Sequence, residues 1–290
     1  MIQMIVSDMD GTLLNDEMEM SLENISAIKK AQAAGLTVVV ATGRSIEEAA
    51  PILHGADIHC WFVTSNGAQI FDQKGNNLLT VGIEADKLAA VMAILRDHRI
   101  YFELFTDQGG FTENIETRLA SVAQWLKSTA PNLSEAEAFE IAESHMATLP
   151  INAIDNFDRV LENPNLTVIK IFAMSQIDDP ALLLAKTELA QLSGLFVTSS
   201  GANNIEVNHL AAQKGQSLQK VAEMHGIALE NVAALGDNFN DMSMIKAAGL
   251  GIAMENAEAE VKEIAQHVTR TNTENGVAYA VEQILSGHWQ

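Results

Sequence analysis

The chain has 290 residues, 48% of them hydrophobic and 19% charged, which suits one large domain or two and excludes a disordered chain. Lys and Arg number 17 against 38 Asp and Glu, a formal charge of −21, so nucleic acid and anionic membranes are excluded as expected partners. An anionic substrate would then need a local positive element: a metal ion, a lysine or helix N-termini.

Cys60 is the sole cysteine, so no internal disulfide can form, which fits a reducing compartment. No basic and apolar leader precedes the first strand, and the apolar runs are too short to cross a bilayer. A cytoplasmic protein is the expectation.

In chain order, Met4–Val6 reads as a short buried strand and Ser21 as the cap of a helix over Leu22–Ala34 that stops at Gly35. Thr37–Thr42 is a continuous β-branched run, the pattern of a strand buried on both faces. Ser45 opens another helix, Trp61–Thr64 is a third strand, and Ala68–Phe71 with Leu78–Val81 predicts a hairpin turning at Lys74-Gly75-Asn76. Leu88, Val91, Met92 and Leu95 then mark an amphipathic helix. A strand is expected at Ile100–Thr106, helices near 115–128 and 134–146, a strand at Thr167–Met174 and a helix marked by Leu182, Ala185, Leu189 and Leu192.

This stretch, roughly 84–194, reads as an α+β cap inserted between core halves 1–83 and 195–290. Crossings near Gly82–Asp86 and Gly194–Asn204 are its expected hinges. In the second core half, strands at Val232–Leu235, Leu250–Ala253 and His267–Thr269 alternate with helices, the last over Asn275–Leu285. The fold class is therefore α/β: a doubly wound, Rossmann-like parallel sheet carrying an inserted α+β cap.

Asp8-Met9-Asp10-Gly11-Thr12 ends the first strand with two carboxylates. By itself the segment also fits a plain strand-to-loop exit. Paired ionised carboxylates at a buried strand end repel each other, and a cation relieves that cost. Ligands of open α/β sheets bind beyond the carboxyl ends of the strands. Thr42-Gly43-Arg44 ends the second strand, Gly236-Asp237-Asn238-Phe239-Asn240-Asp241 follows Val232–Leu235, and Lys214-Gly215 opens a helix within reach of the same edge. Together these suit phosphoryl transfer. Asp8 attacks phosphorus, Asp10 serves as acid and base, a metal and Lys214 neutralise the phosphate, and Thr42 with backbone N–H groups holds its oxygens.

In this order and spacing the motifs resemble the haloacid dehalogenase superfamily, specifically its Cof-type branch of small-molecule phosphatases. Ser65-Asn66-Gly67-Ala68, Ala253-Met254-Glu255-Asn256-Ala257 and Asn275-Gly276-Val277-Ala278 also resemble branch patterns. The resemblance implies Mg²⁺-dependent hydrolysis of small phosphate monoesters, with sugar phosphates expected. It makes Asp8 the nucleophile and a metal ligand, and Asp10 the acid/base bound to metal through its backbone carbonyl. It adds Asp237 and Asp241 to the metal site and has Met9, Thr42, Gly43, Lys214 and Asn240 contact phosphate. Glu255 departs from the branch, which usually has Gly there. A phosphomutase on the same core and a non-catalytic phosphate-binding relative are the alternatives. Arg44 is read as a structural partner for a nearby acid and receives no functional role, and the oligomeric state stays open.

Overall fold

The computed structural model describes residues 1–129, 132–148, 151–201 and 203–290. It divides into two compact units, Met1–Thr80 with Ala211–Gln290, and Val81–Leu210.

In the first unit the chain lays down strands β1 (Met4–Ser7), β2 (Thr37–Ala41), β3 (Trp61–Thr64), β4 (Gln69–Phe71) and β5 (Asn77–Thr80). The second unit contributes β6 (Tyr101–Thr106), β7 (Gly109–Thr112), β8 (Ile151–Ala153), β9 (Val168–Met174), β10 (Leu195–Thr198) and β11 (Asn204–His209). The chain then returns to the first unit for β12 (Val232–Gly236), β13 (Leu250–Ala253) and β14 (His267–Val268).

The first sheet runs β14-β13-β12-β1-β2-β3-β4-β5, parallel from β14 to β3 and antiparallel across the β4–β5 extension. Ile5, Val38, Val40 and Phe62 pack into one apolar cluster and Met4, Val6, Val39 and Val63 into another, because successive side chains point to opposite faces of a strand. A sheet buried on both faces explains the unbroken apolar runs of β1 and β2. Helices grow where the sequence supplies caps. Ser21 accepts a hydrogen bond from the Asn24 N–H at the start of Leu22–Ala33, and Ser45 with Glu48 forms a capping box on Ile46–Gly55. The order β12-β1-β2 puts the direction switch of the winding between β1 and β12, where such sheets open a crevice.

The second unit is a six-stranded sheet in the order β10-β11-β9-β6-β7-β8. Leu88, Val91 and Leu95 of the helix Ala85–Asp97 and Leu182, Ala185 and Leu189 of the helix Pro180–Leu189 cover one face, against Phe102, Leu104, Ile171, Ala173, Ile205 and Val207. Phe102 stacks on Phe157 at 5.3 Å between ring centroids and belongs to this core, and Phe111 packs against it.

The return to the first unit comes at Ala211, not at residue 195. Strand β10 pairs antiparallel with β11, and β11 with β9, so residues 195–210 complete the second sheet. Their short apolar runs look like core strands in sequence, and only the pairing partner assigns them. The expected hinge at Gly194–Asn204 therefore falls inside the second unit, and its residue 202 lies outside the described residues. Among the described residues no helix is long and apolar enough to cross a membrane.

Candidate active site at the strand ends

Three adjacent parallel strands, β12, β1 and β2, deliver Asp237, Asp8 and Thr42 one residue past their carboxyl ends. Asp8 stays in sheet register, its N–H donating to the Leu235 carbonyl at 3.0 Å. Gly11 turns the chain away at φ +72°, where a Cβ would stand 2.5 Å from Asp237 Oδ2, so both the turn and the close approach require glycine. At Gly236 on β12 the close approach alone requires glycine, since a Cβ there would meet the Asp241 carboxyl group at 2.6 Å.

Lys214 opens the helix Lys214–His225 and is fully buried. Its Nζ donates to Asp8 Oδ1 at 2.6 Å and to Asp241 Oδ1 at 2.6 Å. Asp8, Asp237 and Asp241 each offer a carboxylate oxygen within 4.8 Å of the others. Asp237 Oδ1 also accepts from Thr12 Oγ1 at 2.8 Å. The other oxygen of Asp241 accepts from the N–H groups of Asp237 at 2.9 Å and Asn238 at 3.0 Å, which caps the turn Phe239–Asp241. Asp241 thus both caps the turn and belongs to the acid cluster.

One ammonium faces three carboxylates, an excess of two negative charges when all are ionised. The electrostatics register that excess. Burial, followed by the Asp241 charge, lifts the Asp8 carboxyl well above the ordinary range although Lys214 opposes the rise. Burial and then Asp241 likewise push Asp237 up to about 7. Burial lowers the Lys214 ammonium, but Asp241 and Asp8 outweigh it and hold its pKa above the ordinary value. A divalent cation carries the charge that this cluster lacks, and an all-oxygen donor set suits a hard ion such as Mg²⁺.

The remaining predicted residues separate into two groups. Asp10 stands apart from the acid cluster. Its carboxylate accepts from Arg44 Nε at 2.9 Å and Nη2 at 2.5 Å, a bidentate pair. Sequence reasoning allows Arg44 a structural pairing with a nearby acid, and the fold names that acid as Asp10, 34 positions away. Thr42 is buried with its Oγ1 accepting from the Arg44 N–H at 3.1 Å, and Gly43 lies half-buried between them. Asn240 is 6% exposed, its Nδ2 donating to Asn66 Oδ1 at 3.1 Å while its Oδ1 has no partner among the described residues. Met9 turns its side chain into the core, which leaves only its backbone for a site role.

Asn66 and Thr12 are the other site residues that sequence reasoning left without a role. Ser65 and Asn66 sit at φ +49° and +61°, a left-handed pair that follows β3 directly. The Asn66 N–H donates to the Thr42 carbonyl at 3.0 Å, joining the ends of β2 and β3. The Ser65-Asn66-Gly67 triplet was the available signal, since Asn and Gly tolerate such angles. Cys60 lies apart from these groups; burial pushes its thiol up to about 12, consistent with a packed apolar residue.

Comparison with known proteins supplies an independent line. The family model described as haloacid dehalogenase-like hydrolase matches residues 5–281. The 5-amino-6-(5-phospho-D-ribitylamino)uracil phosphatase YwtE of Bacillus subtilis is 35% identical over 98% of this chain and 99% of its own. A second B. subtilis protein of the same description, YcsE, is 34% identical over 99% of this chain and 96% of its own. A solved haloacid dehalogenase-like hydrolase from B. subtilis superposes with a TM-score of 0.87 at 32% identity, covering 98% of this chain and 100% of that one.

Proposed function

From the premise that this chain belongs to the haloacid dehalogenase-like hydrolase family and is a phosphatase, we propose that it hydrolyses small phosphate monoesters through a phosphoryl group carried on Asp8. The observation carrying this reading is the buried Lys214 ammonium, 2.6 Å from both Asp8 and Asp241, with Asp237 in the same carboxylate cluster at the strand ends.

The Asp8 carboxylate attacks phosphorus while the bond to the leaving oxygen breaks. Asp10 gives that oxygen its proton, and the alcohol departs. Asp10 then takes a proton from water, whose oxygen attacks the phosphoryl group and returns Asp8 as a free carboxylate with release of inorganic phosphate. To reach the leaving oxygen, the Asp10 side chain must release the Arg44 fork. Lys214 offsets charge on the transferring group, and Thr42, Gly43, Asn240 and the Met9 N–H bind its oxygens. Asp8, Asp237, Asp241 and the Asp10 carbonyl would hold Mg²⁺. When bound, the ion supplies the charge neutralisation that lets an anionic nucleophile approach an anionic ester.

We assign substrate choice to the inserted unit and the substrate class to phosphates of sugars and sugar alcohols. The ribityl phosphate in the names of the two B. subtilis relatives supports that class. The test is hydrolysis of p-nitrophenyl phosphate with Mg²⁺, then of a panel of sugar and polyol phosphates. Activity lost with EDTA and in Asp8→Asn is expected; full activity in Asp8→Asn would overturn the covalent route.

A further inference from the structure

The inserted unit contains a cavity of about 390 Å³, lined among others by Arg99, Tyr101, Gln124, Gln176 and Asn203. It lies where β6 begins and β9 ends, since Tyr101 pairs with Met174 and Met174 with Asn204. The chain enters and leaves the unit at the opposite end of this sheet. There the Ile83 N–H donates to the Val168 carbonyl at the start of β9, and Leu210 follows the end of β11. The cavity shares no residue with the cluster of Asp8, Asp237, Asp241 and Lys214.

Two features of the cavity point to a ligand. In a chain with 38 acidic and 17 basic residues, the solvent-exposed Arg99 guanidinium at its rim has no ion pair or hydrogen bond to a described residue and is left available to an anion. Asn203 is only 7% exposed, yet its side-chain amide makes no hydrogen bond to a described residue. The residue is packed in place while its amide keeps its hydrogen-bonding capacity for what occupies the cavity.

The wall is also prepared in advance. The Tyr101 hydroxyl donates to Glu103 Oε1 at 2.7 Å and pairs with Thr112 Oγ1 at 2.7 Å, while Arg118 donates to the same Glu103 oxygen. That buried network fixes the ring lining the cavity, and a preformed wall reduces the ordering cost of binding.

We propose that this cavity is a second, non-catalytic binding site for a small hydroxylated organic anion. Arg99 takes the carboxylate or phosphate group, whose two oxygens match the guanidinium fork. Asn203, Gln124 and Gln176 take the hydroxyl groups. The volume lies within the range of small-molecule sites. This proposal does not depend on the phosphatase reading.

The test is a titration of the full-length Asp8→Asn protein, which cannot turn over an ester by the proposed route, in Mg²⁺-free buffer, followed by residue-resolved ¹⁵N NMR. Citrate, glycerol 3-phosphate and glycerol are the probes. Saturable shifts of the Asn203 side-chain amide and the Arg99 Nε–H with an anion, absent with glycerol, are expected. Citrate alone marks a carboxylate ligand and glycerol 3-phosphate alone a phosphate ligand. Arg99→Gln and Asn203→Ala should each weaken binding about tenfold or more, with signals of the first unit unchanged as the check on folding. The proposal is overturned if neither anion gives a saturable shift at these residues, or if both variants bind as tightly as their parent.

Discussion

Each unit of this protein buries charge, and the two do it differently. In the second unit Glu103, 1% exposed, meets Arg118, 6% exposed, one acid to one base, with Tyr101 adding a hydroxyl to the same carboxylate. In the first unit a single lysine meets three acids, and burial with mutual repulsion lifts Asp8 and Asp237 above the ordinary carboxylate range. A balanced buried pair completes a fold. An unbalanced one stores repulsion that a cation would relieve, and on the proposed mechanism this imbalance marks the reactive cluster apart from the structural one.

The largest expected effect tests the reactive cluster. Asp8→Asn should lower kcat by about 10⁴-fold or more, because the proposed route carries the phosphoryl group on the Asp8 carboxylate. Lys214→Gln should cost about 10²–10³-fold in kcat. Glu103→Gln in the second unit should instead leave kcat within a few-fold. Because it strands Arg118 without its charge partner, it should destabilise by roughly 3–5 kcal/mol, read by urea unfolding. If Glu103→Gln reduces kcat as strongly as Lys214→Gln, the division between reactive and structural charge fails.

Arg44→Gln should have a smaller effect, lowering kcat/KM roughly tenfold, because the resting position proposed for Asp10 on the Arg44 fork is lost. Steady-state kinetics on p-nitrophenyl phosphate measure it, and an unchanged kcat/KM would make the pair ornamental. The smallest effect concerns pH. Asp237 has a folded pKa of about 7 against an ordinary 3.8, so the metal-free folded chain holds more protons than the unfolded chain between those values. Its contribution to stability is therefore present below the ordinary value and is lost as pH rises through about 7. Thermal melts of EDTA-treated protein should show a falling midpoint across that window, and added Mg²⁺ should reverse the fall at pH 8. The Asp237→Asn variant should lose this part of the pH dependence.

Much of the first unit was legible in the chain. β1 and β2 announce themselves as unbroken apolar runs because both faces of the sheet are covered, and Ser21 and Ser45 cap the helices they precede. Asp8, Lys214, Asp237 and Asp241 were legible as motifs at strand ends and helix starts, and the fold assembles them. The pairing of long side chains was not legible. Arg44 finds Asp10, and Asn240 finds Asn66 174 positions away, through tertiary geometry that local spacing does not encode. The second boundary was missed for the same reason. Leu195–Thr198 and Asn204–His209 carry ordinary strand patterns, and their place in the second sheet depends on pairing with β9.

The most direct test of the central claim is mass spectrometry of enzyme quenched in acid during turnover of a phosphate monoester with Mg²⁺. The account predicts one added phosphoryl group on the peptide carrying Asp8, absent in Asp8→Asn and absent when EDTA is present from the start. A phosphoryl group on another residue, or turnover in which rapid quenching traps none, would contradict it.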